Sequence, residues 1–237
     1  MFISEELLTC SLNSFQISLS NDQILKFDTF ARLLVDYNKK VNLTAITDAD
    51  GIVIKHFVDS LALLKYSEIP LRSLTADVGT GAGLPGIALS IARPDLEVFL
   101  FDATKKKLVF VEKVLYELSL TGRAVHMRAE EAGREESLRE KFDFVTARAV
   151  SELNVLSELC IPLVKPGGGF SPMKGSLSEE EYNRGKNAAL LLGCKLLNTR
   201  AYELPTGDRR TVLNFKKISQ TSAKYPREFS SILKIPL

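Results

Sequence analysis

From residue 4 to residue 65 the apolar side chains recur every three to four positions, the spacing of one helical face. Ser4 before Glu5-Glu6 and Ser20 before Asn21-Asp22-Gln23 are caps for two helices. Leu25, Phe27, Phe30, Leu33, Leu34 and Tyr37 form the inward stripe of the second. Thr47-Asp48-Ala49-Asp50 reads as a capping box with Asp in place of Glu, opening a third helix that reaches about Tyr66. Near residue 73 the period changes. Short apolar runs, Leu74–Val78, Glu97–Phe101, Ala124–Arg128, Phe142–Ala147 and Gly169–Lys174, alternate with helical patterns over Leu84–Arg93, Thr104–Leu120, Ser151–Leu163 and Ser178–Leu192. That alternation predicts βαβ units on a mostly parallel sheet. Two closing strands, Lys195–Leu204 and Arg210–Lys216, flank the turn residues Pro205-Thr206-Gly207-Asp208 and predict an antiparallel hairpin at the sheet edge. The expected division is a helical extension over 1–68, an α/β core over 69–217 and an irregular basic tail over 218–237.

Composition changes this picture little. The chain is 45% apolar and 25% charged, enough to bury a full core. No apolar run is long enough to span a membrane, and Met1–Ser20 lacks the pattern of a secretory signal. Cys10, Cys160 and Cys194 are widely spaced and form no Cys-x-x-Cys pair, which points to buried thiols, a cytoplasmic location and no metal site. The net charge of +2 is uninformative, but its distribution is not: residues 205–237 hold seven basic and two acidic side chains. A basic end suits phosphate contact, and equally a solvated surface.

The chemistry concentrates in Asp77-Val78-Gly79-Thr80-Gly81-Ala82-Gly83-Leu84-Pro85-Gly86, between a predicted strand and a predicted helix. Glycines there let a tight turn take positive φ and let the backbone approach a ligand closely. Pro85 falls where the first helical residue would sit, where its missing N–H is harmless. Gly81-x-Gly83-x-x-Gly86 matches the dinucleotide fingerprint, yet three features favour S-adenosylmethionine. An acid, Asp77, ends the first strand and can face a ligand ammonium. The turn has no Lys for a phosphate. The terminal hairpin suits a methyltransferase sheet. Asp102, ending the second strand, reads as the partner of the ribose hydroxyls or as a helix-start acid before Thr104. Ala129-Glu130 after the third strand can meet an adenine, or simply open a helix.

Taken with Ala147-Arg148-Ala149 and Met173-Lys174-Gly175, the glycine turn resembles that of the RsmG (GidB) family, bacterial methyltransferases of guanine N7 in 16S ribosomal RNA. Asn42-Leu43-Thr44, His56-Phe57-Val58-Asp59-Ser60 and Lys224-Tyr225-Pro226-Arg227 are similar to further signatures of that family, so the resemblance runs from about Asn42 to Arg227. It implies a Rossmann-like class I methyltransferase fold with S-adenosyl-L-methionine as cofactor. It also implies a pocket lined by Gly79, Leu84, Asp102, Ala103, Thr104, Ala129, Glu130 and Arg148, to which the turn reading adds Asp77, Gly81 and Gly83. The implied partner is a loop of 16S ribosomal RNA beside the decoding centre, free or in the small subunit, met by a monomer. One departure is Ser171-Pro172, where the family has an apolar residue and alanine. A proline removes a ladder N–H from the fifth strand, so disturbed geometry is expected near Lys174.

Guanine N7 carries a free lone pair, so its methylation needs positioning rather than a base. The sequence accordingly offers no nucleophile–base constellation. N7 lies in a groove of A-form RNA that side chains cannot enter, so the base must come from a loop or be turned out. His56, Lys174, Arg209 and Arg210 are the candidate RNA contacts, and Arg148 the candidate between cofactor and base. Bland alternatives stand beside them: a helix-packing role for His56 with Asp59, an ion pair of Arg148 with a neighbouring helix, and a solvated Lys174. Lys105-Lys106-Lys107 at a helix start reads as a phosphate contact or plain surface, and His126 as a core-strand residue. A non-catalytic assembly protein, a methyltransferase with another acceptor, and an oxidoreductase are the rival readings.

Overall fold

A computed structural model describes residues 1–148 and 151–237. Two capped helices open the chain. In α1 (Glu5–Asn13) the Ser4 hydroxyl accepts from the Leu7 N–H. In α2 (Asn21–Asn38) Ser20 and Gln23 exchange side-chain and backbone hydrogen bonds as a full capping box. Gln23 also donates to the Ile91 and Ala92 carbonyls, which ties α2 to the end of a core helix. The third helix starts one residue later than its sequence suggests. Asp48, not Thr47, caps α3 (Ala49–Gly51) by accepting from the Gly51 N–H. The helix continues as one wide π-helical stretch, Ile52–Val58, into α4 (Asp59–Tyr66).

The sheet follows: β1 (Leu74–Val78), β2 (Glu97–Asp102), β3 (Gly122–His126), β4 (Phe142–Arg148), β5 (Val164–Lys174), β6 (Cys194–Glu203) and β7 (Arg209–Lys217). Their order is β3-β2-β1-β4-β5-β7-β6, with β1 to β5 parallel and β7 antiparallel to both neighbours. The order reverses between β1 and β4, the switch point outside which such sheets bind ligands. The N-terminal helices, α5 (Gly86–Ala92) and α6 (Lys105–Glu117) cover one face; α8 (Leu153–Cys160) and α9 (Glu179–Leu191) cover the other. Strand pleating sorts the side chains: Val98 and Leu100 join the core with Phe27, Phe30 and Phe57, whereas Phe101 joins the opposite core with Leu156 and Leu159. No helix among the described residues is long and apolar enough to cross a membrane.

Several sequence expectations are corrected here. Strand β3 begins two residues earlier than expected and lies at the sheet edge, so His126 is exposed and bonds the Ala103 carbonyl instead of filling a core. Cys10 is exposed, while Cys160 and Cys194 are buried, and burial raises both thiols, Cys194 to about 12. Pro85 sits at the cap position, one before the first residue of α5. Pro172 does not break β5: toward β4, Thr146, Ala147 and Arg148 pair in register with Ser171, Pro172 and Met173, whereas toward β7 the pairing skips Ser171 and Pro172 and resumes in the same register at Met173. The lost N–H is offset by side chains, with Thr146 donating to the Ser171 carbonyl and Ser171 donating to Asn214, each at 2.8 Å. Residues 218–237 are not irregular throughout. They pack on the core and contain α10 (Phe229–Lys234), with Ile232 fully buried.

Candidate functional site

Four chemically active side chains sit at the C-terminal ends of consecutive strands in sheet order: Asp102 on β2, Asp77 on β1, Arg148 on β4 and Lys174 on β5. At a strand spacing of about 4.8 Å they span roughly 14 Å, with acids on one half and cations on the other.

On the acidic half the chain turns from β1 into α5. Gly79, Gly81 and Gly83 all have positive φ. At Gly81, with φ +59°, an added Cβ would find no atom nearer than 3.9 Å, so the missing side chain leaves open space in the turn. Gly83 and Gly86 are small for packing instead: a Cβ would lie 2.2 Å from Ile87 Cδ1 and 2.3 Å from Leu100 Cδ2 respectively. Asp77 is fully buried. Its Oδ2 accepts from the Thr80 hydroxyl at 2.6 Å and the Gly86 N–H at 2.9 Å. Its Oδ1 has no hydrogen-bond partner among the described residues. Burial pushes the Asp77 carboxyl up to about 6, against the opposing pull of those two donors. Asp102 accepts from the Gly81 N–H and the Thr104 N–H, so it braces the turn as well as starting α6. The short helix α7 (Ala129–Ala132) follows β3 and carries buried Glu130, which accepts from Arg128 Nε at 2.6 Å. Gly79, Asp102, Ala103, Ala129 and Glu130 line one cavity of about 180 Å³. The same cavity is lined by Met127, Arg128, Leu159 and Phe229, which sequence reasoning missed. Phe229 carried no signal, because it lies some hundred residues along the chain from its partners.

On the basic half Lys55, His56, Asp59, Arg148, Lys174 and Arg210 line a second cavity of about 300 Å³. Asp59, 3% exposed, is its hub. Its Oδ2 takes Arg148 Nη1 at 3.0 Å; its Oδ1 takes the Tyr202 hydroxyl at 2.8 Å and lies 3.4 Å from Arg210 Nε. Arg148 also donates to the Lys55 and His56 carbonyls. The ion pair with a neighbouring helix is therefore what Arg148 forms. Ala149, the next residue of that motif, lies outside the described residues. His56 is buried, bonded through Nε2 to the Thr44 hydroxyl at 2.8 Å, with Nδ1 3.3 Å from the Lys55 carbonyl. Burial, then the Arg148 charge, lowers its pKa to about 4, so the ring is neutral at pH 7.

The pleat separates Arg148 from Lys174. Arg148 pairs with Met173 and points toward the N-terminal helices; Lys174, one residue on, points to the other face. There it forms an ion pair with Glu181 at 2.8 Å and donates to the Ser151 carbonyl, so it is not a solvated lysine. The basic end is also less free than its composition suggests. Lys217 is buried against Glu140, Arg227 pairs with buried Glu158, and Arg210 leans on Asp59. Arg209 remains exposed at the start of β7. The lysines Lys105 and Lys106 are exposed at the start of α6.

Residues 23–212 match the family model described as rRNA small subunit methyltransferase G (GidB). Proteins named ribosomal RNA small subunit methyltransferase G are similar along almost their whole length. The one from Desulfitobacterium hafniense is 45% identical, covering 93% of this chain and 92% of its own. The one from Desulforamulus reducens is 42% identical, covering 94% and 93%. Among solved structures, the 16S rRNA (adenine(1408)-N(1))-methyltransferase of Catenulisporales acidiphilia superposes with TM-score 0.52 at 17% identity, covering 66% of this chain and 87% of its own. M. jannaschii TYW2 in complex with AdoMet gives 0.52 at 14% identity, covering 85% and 79%. At such identities these two structures speak to the fold alone, a Rossmann-like methyltransferase α/β sandwich.

Proposed function

This chain belongs to the rRNA small subunit methyltransferase G (GidB) family, and we propose that it methylates N7 of a guanine in a loop of 16S ribosomal RNA near the decoding centre, using S-adenosyl-L-methionine. The observation that carries the reading is the split at the switch point, with an acid-lined cavity on one side and an arginine-lined cavity on the other.

The acidic half fits the cofactor. The orphaned Asp77 Oδ1 is a buried acceptor suited to a cationic ligand, and the open space at Gly81 admits a ligand where a side chain would stand. Asp102 keeps lone pairs free for ribose hydroxyls after bonding two backbone N–H groups. Gly79, Ala103, Ala129 and Glu130 line that side, while Leu84, buried in the core, and Thr104, exposed before α6, lie outside the cavity's lining, and Gly83 shapes the turn from behind. When bound, the cofactor supplies an electrophilic methyl group. Because N7 would accept that methyl through its own ring lone pair, no residue of this chain would need to move a proton.

The basic half has what that reaction requires. Guanine presents O6 beside N7, and a guanidinium is the usual donor to that edge. Arg148 and Arg210, held by Asp59, supply guanidinium donors at this cavity. His56 spends its nitrogens on Thr44 and the Lys55 carbonyl, so it shapes the wall and does not act as a base. Lys174 anchors the rim through Glu181, and exposed Arg209 meets RNA phosphate.

The test is methyl transfer from radiolabelled S-adenosylmethionine to small subunits and to naked 16S RNA lacking the modification, followed by borohydride and aniline cleavage. One cleavage at a loop guanine is expected. Label at a base resistant to cleavage would assign another acceptor. Cofactor binding without any transfer would leave an RNA-binding assembly role.

A further inference from the structure

The 180 Å³ cavity on the acidic half is not closed by the α/β core alone. Its remaining wall is Phe229, from the first turn of α10. The segment that carries Phe229 is fastened on both sides. Before it, the Arg139 guanidinium donates to the carbonyls of Thr221 at 2.7 Å and Tyr225 at 2.8 Å. Arg134 Nε donates to the Pro226 carbonyl at 2.9 Å, and Pro226 lies against Gly133, where a Cβ would sit 2.9 Å from its ring. Arg227 meets Glu158 of α8 through Nε at 2.8 Å and Nη2 at 2.6 Å, while its backbone N–H donates to the same carboxylate. Glu158 is fully buried, so this pairing is desolvated and strongly directional. After Phe229, Ile232 is fully buried and Asn154 donates to the Leu237 carbonyl. A segment pinned this way holds its aromatic ring in a defined place.

The ring itself is oriented. The Arg128 guanidinium lies 4.6 Å from its centroid, and Arg128 is in turn held by Glu130. Phe229 is half-buried, whereas the other aromatic lining this cavity, Phe101, is 1% exposed and belongs to the core. The cavity thus combines a flat apolar face, acceptors on Asp102 and Glu130, and backbone at Ala103 and Ala129. Those are the groups that recognise a purine nucleoside: stacking for the ring, acceptors for its amine and sugar hydroxyls.

We propose that Phe229 packs against the adenine of the bound methyl donor, so that the C-terminal segment is a working wall of the cofactor site. This rests on the donor assignment of the preceding section. The chain contains no tryptophan, so Phe229→Trp places a single indole at the site. The test is titration of that variant with S-adenosylhomocysteine, reading indole emission, with calorimetric titration of the wild type alongside. Emission should change in a saturable way, with a midpoint matching the calorimetric Kd, because adenine stacked on the indole alters its excited state. Leu71→Trp, on an exposed residue away from both cavities, should show no such change. Phe229→Ala and Phe229→Leu should weaken S-adenosylhomocysteine about 3- to 10-fold with little shift in melting temperature, the range expected for one aromatic contact. Flat Phe229→Trp emission at wild-type calorimetric affinity would overturn the proposal. Loss of binding in folded Phe229→Trp would support it, since the larger ring would then occupy the ligand's place. Absence of S-adenosylhomocysteine binding to the wild type would instead overturn the donor assignment.

Discussion

Replacing Asp59 by Asn removes one charge from the centre of the basic cavity while keeping its shape. The cost follows from what is left behind. Asp59 is 3% exposed and holds Arg148, whose side chain is 13% exposed, at 3.0 Å. Removing one partner of a buried ion pair costs about 3–5 kcal/mol, because the other charge stays desolvated. Arg148 keeps the Lys55 and His56 carbonyls as acceptors, and Arg210 can turn toward water, which puts the loss at the lower end. We expect about 3 kcal/mol, or a fall of roughly 6–12 °C in Tm for a protein of this size. Urea unfolding at pH 7 measures it, with Arg148→Met and the double variant completing a cycle. The double variant should lose less than the two singles added together, with a coupling of about 2 kcal/mol. Methyl transfer should fall while S-adenosylhomocysteine affinity holds, since the cavity proposed for the cofactor opens at the ends of β1, β2 and β3, apart from Asp59. A loss under about 1 kcal/mol with additive singles would refute the picture of one carboxylate organising both arginines.

Gly81→Val should abolish cofactor binding in calorimetry at a stability cost on the order of 1–2 kcal/mol, the strain of a side chain at φ +59°; unchanged affinity would misplace the turn. His56 titrates at about 4 in the folded protein against 6.5 unfolded, so its contribution of about 3 kcal/mol is present above pH 6.5 and is lost as pH falls toward 4. Asp77, raised from 3.8 to about 6, acts with the opposite sign, favouring the folded state as pH falls from 6 to 3.8. In His56→Gln only the Asp77 trend survives, so its urea midpoint should gain on the wild type between pH 6.5 and 4.5; parallel profiles would count against the neutral, buried imidazole. Arg227→Leu should cost about 3–5 kcal/mol in urea unfolding, because Glu158 is fully buried, and Glu158→Gln should restore part of it. Arg209→Glu, at an exposed position, should lower RNA affinity and reduce the salt slope by about one to two phosphate equivalents without altering cofactor affinity; equal losses in both would deny a phosphate contact. Arg210→Glu is a poorer test, because a glutamate there would face Asp59.

Local chemistry was readable directly from the chain. Ser4 and Ser20 mark helix starts because their hydroxyls answer N–H groups three residues away. The change of period at residue 73 reports a sheet buried on both faces, and Asp77 to Gly86 can turn from strand to helix in few other ways. Thr47 and Asp48 offer the same capping chemistry one residue apart, and the folded helix uses Asp48. The exposure of His126 is not legible in the chain, because an apolar strand does not announce whether a neighbour covers its outer edge. Pro172 looked disruptive because the compensating Thr146, Ser171 and Asn214 contacts join three strands distant in sequence.

The sequence by itself determined the elements, the glycine turn and the kinds of groups available, since each depends on neighbours within a turn or a strand. Tertiary structure alone decided which charges are spent and which are presented. Strand pleating turned Arg148 and Lys174 to opposite faces, Asp59 gathered two arginines from β4 and β7, and the C-terminal segment delivered Phe229 to a cavity opened by β1 and β2. These pairings are contacts between segments up to about 150 residues apart, and only burial against the two faces of one sheet makes them.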